Sequence, residues 1–124
     1  MHGKRVDELS AFIMAYNEEK TICKLVLDIH DYLSKNTIIF EIIVVVHEDS
    51  TDKTLSIVKE LSTHLPNLHP IIQKRDNPGY GAGLVAGIKE SKYAHIFYTD
   101  GDAQFDINDI DLLLPHINDY AIVS

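Results

Sequence analysis

The sequence predicts an α/β fold in which helices cover both faces of a mainly parallel sheet. Three observations predict it. Short apolar runs of strand length alternate with segments of helical periodicity from one end of the chain to the other. One run, Glu41-Ile42-Ile43-Val44-Val45-Val46, is continuously apolar and β-branched after its glutamate, the pattern of a strand covered on both faces. Polar clusters follow the strands at Tyr16, at His47 and at Asp100, which in a parallel sheet brings them to one edge.

The elements follow in order. Leu9 to Ala15 reads as a buried first strand, and Asn17, with Glu18 and Glu19 behind it, reads as the N-cap of a helix. Ile22, Leu25, Val26, Ile29 and Leu33 give that helix one apolar face ending near Ser34-Lys35-Asn36, with Cys23 packing beside it. The run from Glu41 to Val46 is expected to be the central strand. Its polar turn, His47 to Asp52, leads into a second helix carrying Leu55, Val58, Leu61 and Leu65, with Asp52 as a cap. Leu68 to Gln73 is a third strand whose Pro70 suits a strand start or a sheet edge. A glycine-rich loop from Lys74 to Gly83 precedes a third helix with Leu84, Val85 and Ile88. His95 to Tyr98 is the fourth strand. Asp106 caps a last helix with Ile110, Leu113 and Leu114 inward, and Ala121-Ile122-Val123 opens a fifth strand.

Composition narrows the function classes. The 124 residues fit a single domain, 1–124, and 45% hydrophobic with 24% charged residues is ordinary for a globular protein. A net charge of −8 argues against a nucleic-acid partner, which is held by clustered Lys and Arg. An anionic ligand would need a cation beside it. The lone Cys23 leaves no internal disulfide framework, no run of about 18 apolar residues is present, and Met1 to Ser10 lacks the apolar core of a secretory signal. The expected compartment is the cytoplasm.

The chemistry centres on Thr99-Asp100-Gly101-Asp102-Ala103-Gln104, where two carboxylates flank one glycine just past a strand. The bland reading is a solvated turn, because Asp and Gly are common turn residues. The other reading is a metal site. Mg²⁺ or Mn²⁺ is typically held by one or two carboxylates and completes its shell with water and substrate phosphates.

Four motifs in order carry a family resemblance: Ala15-Tyr16-Asn17-Glu18-Glu19; Glu41 to Val45 leading to Ser50-Thr51-Asp52-Lys53-Thr54; Asn77-Pro78-Gly79-Tyr80-Gly81-Ala82-Gly83 with Ala86-Gly87; and Tyr98 to Phe105. Together they resemble the amino-terminal half of a family 2 glycosyltransferase of GT-A fold, in the branch of dolichyl-phosphate mannose synthase and other polyprenyl-phosphate sugar transferases. The resemblance implies a Rossmann-like three-layer nucleotide-binding half. It implies a UDP- or GDP-linked sugar as donor, a hexose transferred with inversion, and a polyprenyl phosphate as acceptor, which would place the chain at the cytoplasmic face of a membrane. Asp100 and Asp102 would hold Mg²⁺ or Mn²⁺, with Asp100 also facing ribose and Gln104 supporting the site. Ala15, Tyr16 and Glu18 would line the nucleotide pocket, and Gly79 and Gly81 would let the backbone approach the nucleotide. Where the family reads D-D-G-S-T-D-G-T, this chain has His47-Glu48-Asp49 before Ser50-Thr51-Asp52. Glu48 is the first choice for the base or ribose contact and Asp49 the second.

The family's acceptor side and general base lie beyond the matched half, so a donor-binding portion is expected, and the sheet, breaking off as its fifth strand opens, points to self-association. Two other classes stay open on the residues alone. A noncatalytic receiver-like module fits the length. A Rossmann dinucleotide or S-adenosylmethionine enzyme fits Gly81-Ala82-Gly83-Leu84-Val85-Ala86, although that pattern begins eight residues after Gln73 instead of at the strand end.

Overall fold

A computed structural model of the chain describes residues 6–76, 80–101 and 122–123. The elements run β1 (Val6–Ala15), α1 (Ile22–Asn36), β2 (Thr37–His47), α2 (Thr54–His64), β3 (Leu68–Gln73), α3 (Tyr80–Glu90), β4 (Ile96–Asp100) and β5 (Ile122–Val123). The five strands form one sheet in the order β3-β2-β1-β4-β5, and every pairing is parallel. The predicted α/β class and parallel sheet are what the chain adopts.

Alternation along β1 builds the layers. Leu9, Ala11, Ile13 and Ala15 pack with Ile42, Val44 and Val46 of β2 against Ile22, Leu25, Val26, Ile29 and Leu33 of α1 and Val58 of α2. The alternate residues, Phe12 with Ile43, Val45 and Ile96, face the other way and meet Leu84 and Ala86 of α3. Two helices therefore cover one face and α3 the other. On the α3 face the Phe12 and Tyr98 rings stack at 5.3 Å, and a Cβ on Gly87 would lie 2.4 Å from the Phe12 ring. That glycine is what lets α3 lie against the sheet.

Several expectations are corrected. The central strand is β1, not the β2 run, because β1 is third of the five strands, with β2 and β3 on one side and β4 and β5 on the other. Both strands are buried on two faces, so apolar character could not rank them. α1 begins at Ile22, five residues past the expected cap, because Asn17 takes a left-handed conformation (φ 53°) that no helical turn continues. Cys23 is exposed instead of packed. α3 begins at Tyr80, so Gly81 and Gly83 lie within it and not in the preceding loop, and Val85 and Ile88 face outward. Pro70 does sit in an edge strand. The helix expected after Asp106 falls outside the described residues. No helix among the described residues is long and apolar enough to cross a membrane.

Candidate functional site at the carboxyl edge of the sheet

Parallel pairing carries the ends of β1, β2 and β4 to the same edge, where Met14 is in register with both Val45 and Asp100. The chain winds outward from β1 to β3 and then crosses back to β4. The strand order therefore reverses between β1 and β4, the place where open α/β sheets bind ligands.

The first two clusters lock together through one asparagine. Asn tolerates the left-handed region better than most residues. In that conformation the Asn17 Oδ1 accepts the amides of Thr51 (2.8 Å) and Asp52 (3.2 Å), while its own N–H donates to Ser50 Oγ (2.9 Å). The Glu18 amide donates to Thr54 Oγ1 (2.8 Å) and the Glu19 amide to Asp52 Oδ2 (3.0 Å). Asp52 Oδ1 accepts both the amide and the hydroxyl of Thr54, the first residue of α2. The N-cap position itself is Lys53 and not the expected Asp52, which instead ties the loop after β1 to the loop after β2. Desolvation at the turn is the largest influence on its carboxyl and acts upward, but the bonds from Thr54 and Glu19 together hold the pKa below its ordinary 3.8.

The third cluster is pinned onto the first. The Gly101 amide donates to Met14 O (2.8 Å), and Thr21 Oγ1 donates to Gly101 O (2.7 Å). A Cβ on Gly101 would lie 3.1 Å from Glu18 Cγ and 3.3 Å from Ala15 Cβ. Any side chain there would press on Glu18 and on Ala15, which is buried beneath. Asp100, the last residue of β4, is exposed beside this corner. Among the described residues no group of three or more His, Cys, Asp or Glu side chains is arranged around a common point.

The other sequence-predicted residues are placed as follows. Tyr16 is 51% exposed and meets the His47 ring edge-on at 5.1 Å. Glu48 Oε2 accepts the Arg75 amide (2.8 Å), and Asp49 Oδ1 accepts Arg75 Nε (2.9 Å). The Asp49 hydrogen bond first, then the charges of Asp49 and Glu48, raise the Arg75 pKa. Gly81 has open space around its missing Cβ. Asp102, Gln104 and Gly79 lie outside the described residues. Two clefts open between these groups: one of about 240 Å³ lined by Val46, His47, Glu48, Ser50, Leu55 and Ile72, the other of about 410 Å³ lined by residues 17–21 and Asp52.

Sequence reasoning missed Thr21, Thr54 and Arg75 as parts of this edge. Arg75 had a usable signal, since it follows a strand of a parallel sheet and must emerge on the same side as His47. Thr21 had none, because its partner is a backbone carbonyl 80 positions away.

Strand order and site together define a doubly wound α/β domain whose polar loops converge at the switch point. Within that class the chain belongs to glycosyl transferase family 2, whose pattern matches residues 10–124. It is 31% identical over 110 residues to the dolichyl-phosphate beta-glucosyltransferase ALG5D of Trichomonas vaginalis, and 30% identical over 109 residues to ALG5A of the same organism; each match covers 85% of this chain and 33% of the relative. An uncharacterized protein of Methanocaldococcus jannaschii, MJ0544, is 34% identical over 113 residues, covering 88% of this chain and 46% of that protein. The chain thus spans between a third and a half of the length of these relatives.

Proposed function

We propose that this chain is the donor-binding portion of a glycosyltransferase that moves a hexose from a UDP- or GDP-linked donor to a polyprenyl phosphate. The observation that carries the reading is the pinning of the Asp100-Gly101 corner to β1 by Met14 and Thr21, at the point where strand order reverses. The polyprenyl acceptor is supported by the names of two relatives, dolichyl-phosphate beta-glucosyltransferases.

In this reading the nucleoside lies across the ends of β1 and β2, against the exposed Tyr16 ring, with Glu18 and Glu48 as hydrogen-bond acceptors for ribose and base. Arg75, fixed by Asp49, holds the Glu48 carboxylate through its backbone amide and so sets where that acceptor points. Asp100 and Asp102 are the donors for Mg²⁺ or Mn²⁺. The exposed carboxylate of Asp100 fits that role, since hard oxygen donors suit either ion. When bound, the ion supplies charge to stabilise the departing diphosphate. The glycine between the acids keeps side-chain bulk away from the phosphates, while Glu18 and Ala15 close the space behind it.

Two competing readings lose ground, the first on strand order and the second, whose strand order this sheet shares, on where its glycines fall. A receiver-like sheet runs 2-1-3-4-5, whereas this one runs 3-2-1-4-5. A dinucleotide fold carries its glycines in the first strand-to-helix turn, whereas here that turn is residues 16–21, with no glycine. Calorimetry with UDP, GDP and their hexose derivatives, with and without Mn²⁺, tests the proposal. Binding to one nucleotide series that strengthens with Mn²⁺ is expected, and no binding to any of them would overturn it.

A further inference from the structure

Midway along β1 and β2, level with the amino end of β4, sits a buried polar group that the site does not use. Glu41 is 3% exposed and Ser10 is fully buried, side by side on β2 and β1. The Ser10 hydroxyl donates to Glu41 Oε2 (2.6 Å), which also accepts the Lys92 amide (2.7 Å). Ser10 Oγ accepts the Tyr93 amide (3.1 Å), and the Ser10 amide donates to His95 O (2.9 Å). Two side chains from two strands thus bind the amides of two consecutive residues, Lys92 and Tyr93, in the segment leading into β4, and the Ser10 backbone holds His95.

We infer that the Ser10–Glu41 pair is a register latch for β4, making both residues positioning residues for the Asp100-Gly101 corner. β4 joins β1 through a long crossover, so no tight turn sets its register. Apolar alternation sets it only in part. A slip of one residue would turn Phe97 away from the α1 side and Ile96 and Tyr98 away from the α3 side, and is blocked. A slip of two would keep every face, exchanging Ile96 for Tyr98. Such a slip would also move Tyr98 off the Phe12 ring and bring a residue with a Cβ to the place of Gly101. At the start of the strand it is opposed by the carboxylate oxygen on the Lys92 amide and the serine oxygen on the Tyr93 amide, which fix where the segment before β4 meets β1 and β2. Buried polar groups fix register in this way at some cost in stability. The consequence appears about 13 Å away, four residues along β4, where the same register places Asp100 beside Met14 and the Gly101 amide on Met14 O.

Amide hydrogen exchange by NMR on the whole chain tests this without any ligand. The inference rests on the proposed function only in treating Asp100 as ligand-facing, so a failure of nucleotide binding leaves the exchange result to stand or fall separately. Ser10→Ala and Glu41→Ala are expected to speed exchange at Lys92, Tyr93 and, at the far end, Gly101, each by about tenfold or more, while amides of β2 paired with β3 keep their protection. Glu41→Gln, whose amide oxygen can replace Oε2, is expected to restore Gly101. Loss at Lys92 and Tyr93 with Gly101 unchanged would overturn the latch. So would an equal loss at every amide in Ser10→Ala, or a Glu41→Gln variant that behaves like Glu41→Ala.

Discussion

Single residues hold the carboxyl edge together, and their contributions can be separated. Asn17→Gly keeps access to the left-handed backbone but loses the bonds to Thr51 and Asp52, whereas Asn17→Ala also strains the backbone. Because these bonds are exposed, Asn17→Ala is expected to cost about 1 to 2 kcal/mol in urea unfolding, and Asn17→Gly less. Asp52 makes stability depend on acid. Its folded pKa is lowered, so its stabilisation is fully present above the ordinary value of 3.8 and is lost as pH falls through the lower folded value. The stability gap between the wild type and Asp52→Asn, followed in urea, is expected to be constant near neutrality and to shrink below that range. Asp102→Asn should weaken Mn²⁺-dependent nucleotide binding by about tenfold or more, roughly 1.4 kcal/mol, in calorimetry. Equal affinity would return Asp100-Gly101-Asp102 to an ordinary turn.

Among the elements, α3 shows how glycines in one helix differ. Gly87 lies on the Phe12 ring and Gly81 faces open space. Gly87→Ala is expected to destabilise by about 1 to 3 kcal/mol through overpacking, and Gly81→Ala to stabilise by about 0.5 to 1 kcal/mol, as a helical glycine replaced by alanine should. Urea midpoints distinguish the two. If Gly81 borders the nucleotide, Gly81→Ala gains that stability while losing affinity, and unchanged affinity would remove Gly81 from the site. The strand and helix positions were legible because apolar periodicity is a local property: the apolar face of α1 and the span of β3 both match. The start of α1 was not, because Asn17 satisfies the partner loop instead of its own helix. The order of the strands was not legible either, since β1 and β2 have the same buried character and only pairing distinguishes them.

For the molecule as a whole, the site is a product of topology more than of any motif. Tyr16, Glu48, Asp49 and Asp100 come from three separate segments, and parallel pairing alone brings them to one edge. Their convergence was readable from the sequence as soon as the sheet was read as parallel. The hydrogen bonds that fix it were not, because Thr21, Thr54 and Arg75 act through backbone groups whose partners are far away in the chain. The proposed function requires these loops to form one metal-dependent nucleotide site. Paramagnetic broadening by Mn²⁺ in the presence of UDP or GDP, read on ¹⁵N-labelled protein, tests it most directly. The amides of Tyr16 to Glu19, Glu48 to Thr51 and Gly101 should broaden together while those of α1 beyond its first turn stay sharp. Broadening centred on the exposed carboxylates of α1, or none at Gly101, would place the ion elsewhere and overturn the proposed function.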